Sequence, residues 1–484
     1  MQYQVPQNID PNKLFIVNFS ELEGRLDPSV YKPHFKFVSK RYNNVKLPEI
    51  AWIDPLCIFE NCDEVSFIPM DAIDSDNGIV SYKGTKKIEE TKGFTRFKEG
   101  DILWAKITPC MQNAKSAIAK NLLNGYGCGS TEFYVIRSKD VKVVNQDYLL
   151  LLLRNEKILK AAMNYFGGSA GQQRVSSLFL KTFDVPIPDI EEQNHLCELV
   201  RNAQKIKLQK EQEATDLLNS IDDYLLSELG IDRVIDTRRE NGRFFYTSHK
   251  EVTGKRLDPL AYSEQAKLLK QSITSGKYSC STLKSLIIQE AAGDWGIDVI
   301  DDYDESIYSK CLVLRSTEFS LNHNIVVDNS KAKYRLISNR KLDSIDLQPN
   351  DLIIEKSGGS ENQPVGRIAI ITKDLYERDK LCYSNFVQKI RLDNSQVIPT
   401  YACFFLRLVH NMRLTETMQS QTNGIRNLIL SEYYNQQIPV PPIEKQKEII
   451  YHIGTLYNRA KQLQHEATTI LSNAKMEIEQ MILG

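Results

Sequence analysis

The 484-residue chain has little that would place it in a membrane or in an oxidising compartment. Its longest purely aliphatic stretch, Leu149 to Leu153, is far shorter than the ~20 apolar residues that span a bilayer. Residues 1–10 have neither the basic nor the apolar region of a signal peptide. Nine scattered cysteines form no C-x-x-C pair, which favours reduced, mostly buried thiols. We therefore expect a cytoplasmic protein without membrane contact.

Motifs of nucleic-acid enzymes are also missing. No G-x-x-x-x-G-K-[ST] loop occurs, which argues against a P-loop motor. The single Pro-Pro pair, Pro441-Pro442, lies between Val440 and Ile443, unlike the Asn/Asp-Pro-Pro-aromatic motif of amino-group DNA methyltransferases. The seven histidines form no ligand-spaced pair with cysteine. We expect a non-catalytic chain without metal or cofactor, and a self-contained DNA methylase or nuclease is the alternative.

An excess of one charge is lacking as well. Sixty-one Lys and Arg against 62 Asp and Glu give a formal charge of -1, so any binding of nucleic acid has to come from local basic surfaces. The hydrophobic fraction of 42% is that of globular material. At ~100 to 200 residues per domain, this length predicts two to four folded units.

The chain does have internal repetition. Four motifs recur in the same order in its two halves, which predicts two tandem copies of one domain-plus-helix unit. The second motif is typical of a turn that leads into a strand, and the fourth precedes a helical pattern. The pairs are Arg25–Pro28 with Arg256–Pro259, Gly100–Leu103 with Asn350–Ile353, Gly171–Leu178 with Asn423–Leu428, and Val185–Pro188 with Ile438–Pro441.

Each half ends in a long apolar seam with steps of three and four residues, the pattern of a heptad repeat. Such helices of ~40 residues are ~60 Å long. We expect them to pack against each other as an antiparallel coiled coil; the alternative is that each packs along its own globular domain. The seam positions are Leu196, Leu199, Ala203, Ile206, Leu217, Ile221 and Leu225 in the first copy, and Ile449, Ile453, Leu456, Ala460, Leu463, Ala467, Ile470, Ala474, Ile478 and Met481 in the second.

The globular parts mix strand and helix patterns. We predict strands at Glu132–Arg137, Gly366–Ile371 and Val387–Arg391, helices at Tyr148–Tyr165 and Tyr401–Thr417, a charged linker at Arg238–Gly242 and a core position for Trp104. The expected fold class is α+β, with two homologous α/β domains in a pseudo-twofold arrangement, joined by the two long helices.

Two unequal modules on long helices fit a reader of DNA. Paired modules place two half-sites on one face of the duplex, ~34 Å or a multiple apart. Because the two modules differ in sequence, the half-sites should differ too. The duplication therefore predicts an asymmetric, bipartite DNA target with an unread spacer, and a purely structural coiled-coil protein is the alternative.

The motifs resemble those of the specificity subunits of type I restriction-modification systems over nearly the whole chain. The first copy has Arg-Leu-Asp-Pro, Phe-x-x-Gly-Asp-Ile-Leu and Gly-Ser-Thr-Glu-Phe, then Val-Pro-Ile-Pro leading into Glu192-Gln193. The second follows the same plan through Asn350–Ile353, Asn362–Gly366 and Lys445-Gln446. The chain departs from the family pattern at Cys110–Gln112, at Ser357–Gly359 where the first copy has Thr-Pro, and in its long lead before Arg25.

The resemblance implies target recognition domains at residues 1–188 and 244–441, spacer helices at 189–230 and 442–484, and a linker at 231–243. It also implies double-stranded DNA and two methyltransferase (modification) subunits as partners, with restriction or translocase subunits as further ones. S-adenosylmethionine and ATP then belong to those partners. A specificity-like subunit of another phage-defence system is the alternative.

Loops beside the repeated motifs are rich in base-reading residue types: Arg or Lys for guanine, Asn or Gln for adenine, and Ser or Thr as adaptable donors. An ordinary hydrogen-bonded loop role is the alternative for each residue. The DNA-binding candidates are Lys106, Thr108, Gln112, Asn113, Lys115, Gln172, Gln173 and Arg174 in the first domain, and Lys356, Ser357, Asn362, Gln363, Arg367, Asn423, Arg426 and Asn427 in the second.

Overall fold

The computed structural model describes residues 14, 16–17, 19, 37–168, 172–234, 246–252, 259–320, 325–360, 363–422 and 425–484. The chain divides into two compact units, Met1–Gln212 with Leu463–Gly484, and Glu213–Gln462. Both units combine helices with antiparallel and mixed sheets, so the predicted α+β class is confirmed. The linker Arg238–Gly242 and the motif Arg25–Pro28 lie outside the described residues.

Unit 1 contains fourteen strands among its described residues. They are β1 Asn43–Lys46, β2 Ala51–Ile53, β3 Glu64–Ile68, β4 Ile73–Asp74, β5 Ile79–Val80, β6 Gly84–Lys87, β7 Thr95–Lys98, β8 Ile102–Ala105, β9 Ser116–Ile118, β10 Tyr126–Gly129, β11 Phe133–Ser138, β12 Phe166–Gly167, β13 Arg174–Val175 and β14 Asp184–Ile187. The α-helices are α1 Leu47–Ile50, α2 Gln146–Leu153, α3 Glu156–Met163, α4 Ser177–Thr182 and the start of α5, Ile190–Leu229. Short 3-10 helices lie at Met70–Ala72, Ile88–Thr91 and Leu123–Gly125.

The central sheet of unit 1 has the order β2-β11-β8-β9 and is antiparallel. Its β8 residues are buried, and the Trp104 indole donates to the Leu153 carbonyl at 3.1 Å, which confirms the core position predicted for Trp104. A second sheet, β6-β3-β10-β7, includes the parallel pair β3–β10.

The stretch predicted as helical at Tyr148–Tyr165 is helical for most of its length, but it is divided into two helices, α2 and α3. The side chain of Asn155 accepts hydrogen bonds from the backbone of Lys157 and Ile158 and so caps α3. Asparagine favours such an N-cap over a helix interior, and α2 therefore ends before it.

Unit 2 contains twelve strands among its described residues. They are β15 Cys280–Thr282, β16 Ile287–Ala292, β17 Tyr308–Leu314, β18 Tyr334–Ser338, β19 Leu352–Glu355, β20 Ser357–Gly358, β21 Ile368–Ile370, β22 Leu381–Tyr383, β23 Val387–Leu392, β24 Gln419–Thr422, β25 Ile425–Leu428 and β26 Gln437–Pro439. The α-helices are α6 His249–Val252, α7 Glu264–Thr274, α8 Leu283–Leu286, α9 Asn339–Ile345, α10 Lys373–Arg378, α11 Pro399–Asn411 and α12 Leu430–Tyr434. Unit 2 also contains residues 213–229 of α5 and residues 443–462 of α13, Ile443–Leu483. Short 3-10 helices lie at Pro259–Tyr262, Ser316–Glu318 and Leu414–Met418.

The central sheet of unit 2, β16-β23-β19-β21, repeats the order of the first. Gly100 and Asn350 take left-handed φ angles of 85° and 71°, and β8 and β19 begin two residues later. The prediction that each motif forms a turn leading into a strand is confirmed. The helix predicted at Tyr401–Thr417 is shorter, because α11 ends at Asn411 and a 3-10 helix follows.

Buried glutamines join each proline motif to its long helix. The Gln193 amide donates to the carbonyls of Val143 and Pro188, both at 2.9 Å, and its oxygen accepts from the Asn145 backbone. Gln446 makes the same contacts in unit 2, donating to Gln396 and Pro441 and accepting from Ile398. Since both glutamines are fully buried, these bonds fix where each helix starts.

The long helices run antiparallel in each unit, which confirms the coiled-coil prediction. In unit 2, Glu213 and Glu228 of α5 pair with Arg459 and Lys445 of α13 at 3.6 and 2.6 Å, so sequence number rises along one helix where it falls along the other. In unit 1, Lys210 pairs with Glu466 at 2.6 Å, and Leu196 shares a core cluster with Ile482. The helices pack on the globular cores as well, so the alternative arrangement is also partly present. The predicted seam is wrong at Ile206, which is 41% exposed.

All nine cysteines are free thiols, and six of them are buried. In the part of the chain that the structure describes, no helix has both the length and the apolar character needed to cross a membrane.

Candidate nucleic-acid interface

In unit 1 the polar loops meet at the end of β8. The Lys106 backbone donates to the Glu132 carbonyl at 2.9 Å, and its carbonyl accepts from Val175 at 2.8 Å. Thr108 and Gln173 bond each other twice, through Thr108 N–H to the Gln173 carbonyl and Gln173 N–H to Thr108 Oγ1. The structure thus brings the segments around residues 106–108 and 173–175 together, although they are far apart in sequence.

Arg174 forms the main charged contact of this surface. Its Nε and Nη2 bind the Glu132 carboxylate at 2.9 and 2.7 Å. Hydrogen bonding to the guanidinium lowers the pKa of Glu132, and the same contact raises the pKa of Arg174. The Arg174 side chain is 45% exposed, so this pair presents an oriented guanidinium to solvent.

The other candidates of unit 1 differ in how far they reach the surface. Gln112, Asn113 and Gln172 are exposed. The Lys106 ammonium lies over the Tyr134 ring, 5.0 Å from its centroid. Lys115 is half-buried and donates to the Met70 carbonyl at 3.1 Å, so its ammonium is already engaged within the unit.

In unit 2 the equivalent loops meet at the end of β19. The Lys356 backbone donates to the Phe386 carbonyl at 2.8 Å and accepts from Leu428 at 2.7 Å. Strand β20 pairs Ser357 with Asn427 of β25, and Ser357 Oγ lies 2.6 Å from Asn427 Oδ1. Partial burial lowers the pKa of the Lys356 ammonium.

Arg367 does not belong to this surface. It is 8% exposed, and its guanidinium binds the buried Glu355 carboxylate twice at 2.9 Å. Two further bonds go to the carbonyls of Phe319 and Ser316. Because these bonds engage the guanidinium inside the unit, the arrangement gives Arg367 a role in the fold.

The remaining candidates of unit 2 are placed as follows. Gln363 is half-buried in a turn in which its backbone bonds Ser360. Arg426 is half-buried on β25 opposite Gly358. Asn362 and Asn423 lie outside the described residues.

Two residues at this surface were not among the sequence candidates. The first is Glu132, whose carboxylate binds the Arg174 guanidinium. The second is Phe386, which is 53% exposed and whose carbonyl accepts the Lys356 backbone hydrogen bond as that of Glu132 accepts the Lys106 one. The predicted strands could have found both, because Glu132 opens the strand predicted at Glu132–Arg137 and Phe386 directly precedes the one predicted at Val387–Arg391. Among the described residues, no cluster of three or more His, Cys, Asp or Glu side chains is arranged to hold a metal ion.

Two copies of one sheet frame, each with polar loops at the end of the equivalent strand, β8 or β19, define a protein built of two modules of one kind. A family model described as "Type I restriction modification DNA specificity domain" matches residues 40–219 and 320–470. The chain belongs to this family.

Individual relatives agree with the family. The chain is 36% identical over 188 residues to the specificity subunit of the type I restriction enzyme EcoAI of Escherichia coli, covering 38% of this chain and 31% of the relative. It is 38% identical over 151 residues to the EcoEI specificity subunit of the same organism, covering 31% and 25%. The matched segments thus span only about a quarter to a third of these relatives.

The fold also has a solved counterpart. A chain from a structure described as the basis of complex assembly and conformational transition of the type I R-M system aligns with a TM-score of 0.54. The alignment covers 93% of this chain and 98% of that chain at 14% identity, so the likeness concerns the fold.

Proposed function

We propose that this chain is the DNA-recognition subunit of a type I restriction-modification complex and reads an asymmetric, bipartite site in double-stranded DNA. The observation that carries the proposal is the match of the specificity-domain family to both halves of the chain. Each half supplies its own polar loop surface, and the two surfaces differ in sequence. Unlike surfaces suit unlike half-sites.

The proposed interface of each unit is its polar loop surface, and Asn362 and Asn423, which lie outside the described residues, are included on the sequence alone. Amides and guanidinium groups suit base edges, whereas lysines and backbone amides suit phosphates. Arg367 and Lys115 are left out, because the Arg367 guanidinium is engaged in the fold and the Lys115 ammonium donates to the Met70 carbonyl. The proposed residues are Lys106, Thr108, Gln112, Asn113, Gln172, Gln173 and Arg174 in unit 1, and Lys356, Ser357, Asn362, Gln363, Asn423, Arg426 and Asn427 in unit 2.

The proposed target recognition domains are residues 1–188 and 244–441, with 231–243 as linker. The helical segments 189–230 and 442–484 set the unread spacer and dock two modification subunits, and restriction subunits join that complex. Methyl transfer and ATP-driven steps belong to those partners, which supply S-adenosylmethionine and ATP chemistry. A cytoplasmic location goes with this role.

The proposal is tested by co-expressing the full chain with the modification subunit of its own system. We expect a complex of two modification subunits and one recognition chain by mass measurement. Selection from a random duplex library should return one split, asymmetric sequence. Because phosphate contacts release counterions, the affinity should fall linearly in log–log form with salt concentration.

Three results would contradict the proposal. Binding without sequence preference or salt dependence would favour a structural coiled-coil protein. Methylation or cleavage of DNA by the chain alone would make it an enzyme. A chain that forms no complex with the modification subunit would belong to another defence system.

A further inference from the structure

The two units carry different residues at one equivalent place. In unit 1, Ile107 forms a bridge with Arg174; in unit 2, Ser357 pairs with Asn427. Lys106, which precedes Ile107, accepts a backbone hydrogen bond from Val175, which follows Arg174. In the same way Lys356, which precedes Ser357, accepts one from Leu428, which follows Asn427. The register therefore makes Arg174 and Asn427 equivalent positions.

A second equivalence lies beside the first. The carbonyls of Glu132 and Phe386 accept the backbone hydrogen bonds of Lys106 and Lys356 at 2.9 and 2.8 Å. Each residue directly precedes a central strand, β11 or β23. The same place in the frame thus holds Arg174 with Glu132 in unit 1 and Asn427 with Phe386 in unit 2.

The Arg174 pair has the chemistry for a G·C base pair. Glu132 takes the Nε hydrogen and one Nη2 hydrogen, and the guanidinium carries further N–H groups on Nη1 and Nη2. An arginine binds guanine through O6 and N7 with two parallel hydrogen bonds. Glu132 fixes the plane of the guanidinium, so it acts as a positioning residue for this contact.

Asn427 and Phe386 have the chemistry for an A·T base pair. The Oδ1 atom of Asn427 accepts from the Ser357 hydroxyl at 2.6 Å and has a second lone pair, and the Asn427 amide carries two donor hydrogens. Asparagine binds adenine through N6 and N7, and a phenylalanine contacts the thymine methyl group. The exposed ring of Phe386 is placed at the position that Glu132 holds in unit 1.

We propose that these equivalent positions determine base specificity: Arg174, positioned by Glu132, reads a G·C pair in one half-site, and Asn427 with Phe386 reads an A·T pair in the other. The inference rests on the proposed function and adds the base class that each unit selects.

The test uses the full chain in complex with its modification subunits. Duplexes carry the sequence selected by the wild-type complex, with each base pair exchanged singly, and binding is measured at one fixed salt concentration. Arg174→Ala should reduce the preference for the selected base pair over its replacements by roughly 10- to 100-fold at a single G·C pair. Asn427→Ala should do the same at a single A·T pair in the other half-site, and in each variant the untouched half-site reports that the complex is folded.

The two partner residues have separate tests. Glu132→Gln should weaken discrimination at the same G·C pair as Arg174→Ala, and the double variant should lose no more than Arg174→Ala alone. Replacing the relevant thymine by uracil removes its methyl group; this should weaken binding of the wild type and leave Phe386→Ala unchanged. As a matched charge control, Lys181→Ala, at an exposed lysine of α4, should leave the base preference at every position unaltered.

Several outcomes would overturn the inference. If Arg174→Ala weakens all duplexes equally, Arg174 is a phosphate contact. If the affected pair is not G·C for Arg174 or not A·T for Asn427, the base assignment is wrong. In both cases the wild-type complex still selects a split sequence, whereas loss of any preference in the wild type would contradict the proposed function itself.

Discussion

The two units build the same central sheet around different buried charges. In unit 1, Asp101 binds Arg137 through two hydrogen bonds of 2.7 Å. In unit 2, Asp351 binds Arg391 in the same way at 2.7 and 2.9 Å, and the fully buried Lys389 ammonium lies 3.5 Å away. The register places Lys389 where unit 1 has Val135. The central sheet therefore has the Asp–Arg pair in both units, and in unit 2 it also contains the buried charge of Lys389.

The outer parts of the units diverge further. The parallel pair β3–β10 of unit 1 recurs as β17–β22 in unit 2. Strand β7 adds a fourth strand beside β10, whereas the described sheet of unit 2 has the order β18-β17-β22. The central sheet and the helix junction repeat, whereas the outer sheet and the polar loops vary, which is consistent with the proposed recognition of two unlike half-sites.

The largest difference between the units should follow removal of the central carboxylate charge. Asp351→Asn leaves the buried Lys389 without its carboxylate and should cost unit 2 about 3 to 5 kcal/mol. Asp101→Asn should cost unit 1 less, because Arg137 is 17% exposed and reaches water. Hydrogen exchange of β23 and β11 peptides measures both effects.

The control for this comparison is Lys389→Val, which installs the unit 1 residue. Combined with Asp351→Asn, it should restore part of the lost protection because the buried positive charge, which would keep only neutral acceptors on Gln289, Ile345 and Asp346, is gone. A loss in the Asp101 variant as large as that in the Asp351 variant, or no recovery in the double variant, would show that Lys389 does not cause the difference between the units.

Removal of the glutamine at the start of each long helix should destabilise the two units by the same amount. Gln193→Ala and Gln446→Ala each remove three hydrogen bonds at a fully buried site and leave backbone groups unsatisfied. We expect each to cost its own unit ~1 to 3 kcal/mol, measured by hydrogen exchange at the start of α5 and α13. Costs that differ by more than ~1 kcal/mol would mean that the junctions are not equivalent.

Acid should weaken unit 2 selectively. His410 is buried, and burial lowers its pKa below the usual 6.5; its Nε2 lies 3.1 Å from the Pro364 carbonyl. A depressed pKa means that the unfolded chain binds the proton more readily, so stability is present above pH ~6.5 and falls below it, by at most about 1.4 kcal/mol per pH unit.

Hydrogen exchange at pH 7.5 and 5.5, corrected for the intrinsic rate, measures this loss. His410→Gln should remove the part of the pH dependence that belongs to α11. If the wild type and this variant respond alike in α11, the histidine is not the cause.

The smallest effect concerns the helix ion pairs. Lys210–Glu466 in unit 1 spans 2.6 Å between half-buried side chains, and Arg459–Glu213 in unit 2 spans 3.6 Å between exposed ones. Both should contribute less than ~1 kcal/mol, with Lys210→Ala costing more than Arg459→Ala. Denaturant melts in low and high salt measure this, and the reverse ranking would contradict it.

Local signals made much of the fold predictable. The turn-to-strand motifs at Gly100 and Asn350 depend on neighbours in sequence, and the helix seams depend on periodicity. The duplication can be recognised because the same four motifs recur in the same order in both halves of the sequence. The break at Asn155 was missed because asparagine suits both a helix surface and an N-cap, and only the cap bonds decide.

Contacts between distant segments made the rest unpredictable. Arg367 is a base-reading type by sequence, but carbonyls of Ser316 and Phe319 and the Glu355 carboxylate enclose it. Arg174 meets Glu132 only because β8, β11 and β13 come together. Surface exposure of a polar loop residue is set by such pairings, which composition and spacing do not encode.

Bipartite recognition is tested by sequencing methylated DNA from cells that express this chain with its modification subunit. We expect one motif of two unlike half-sites with an unread spacer, in which substitutions in unit 1 alter one half and substitutions in unit 2 alter the other. A symmetric or continuous motif, or methylation that ignores substitutions in either unit, would contradict this expectation.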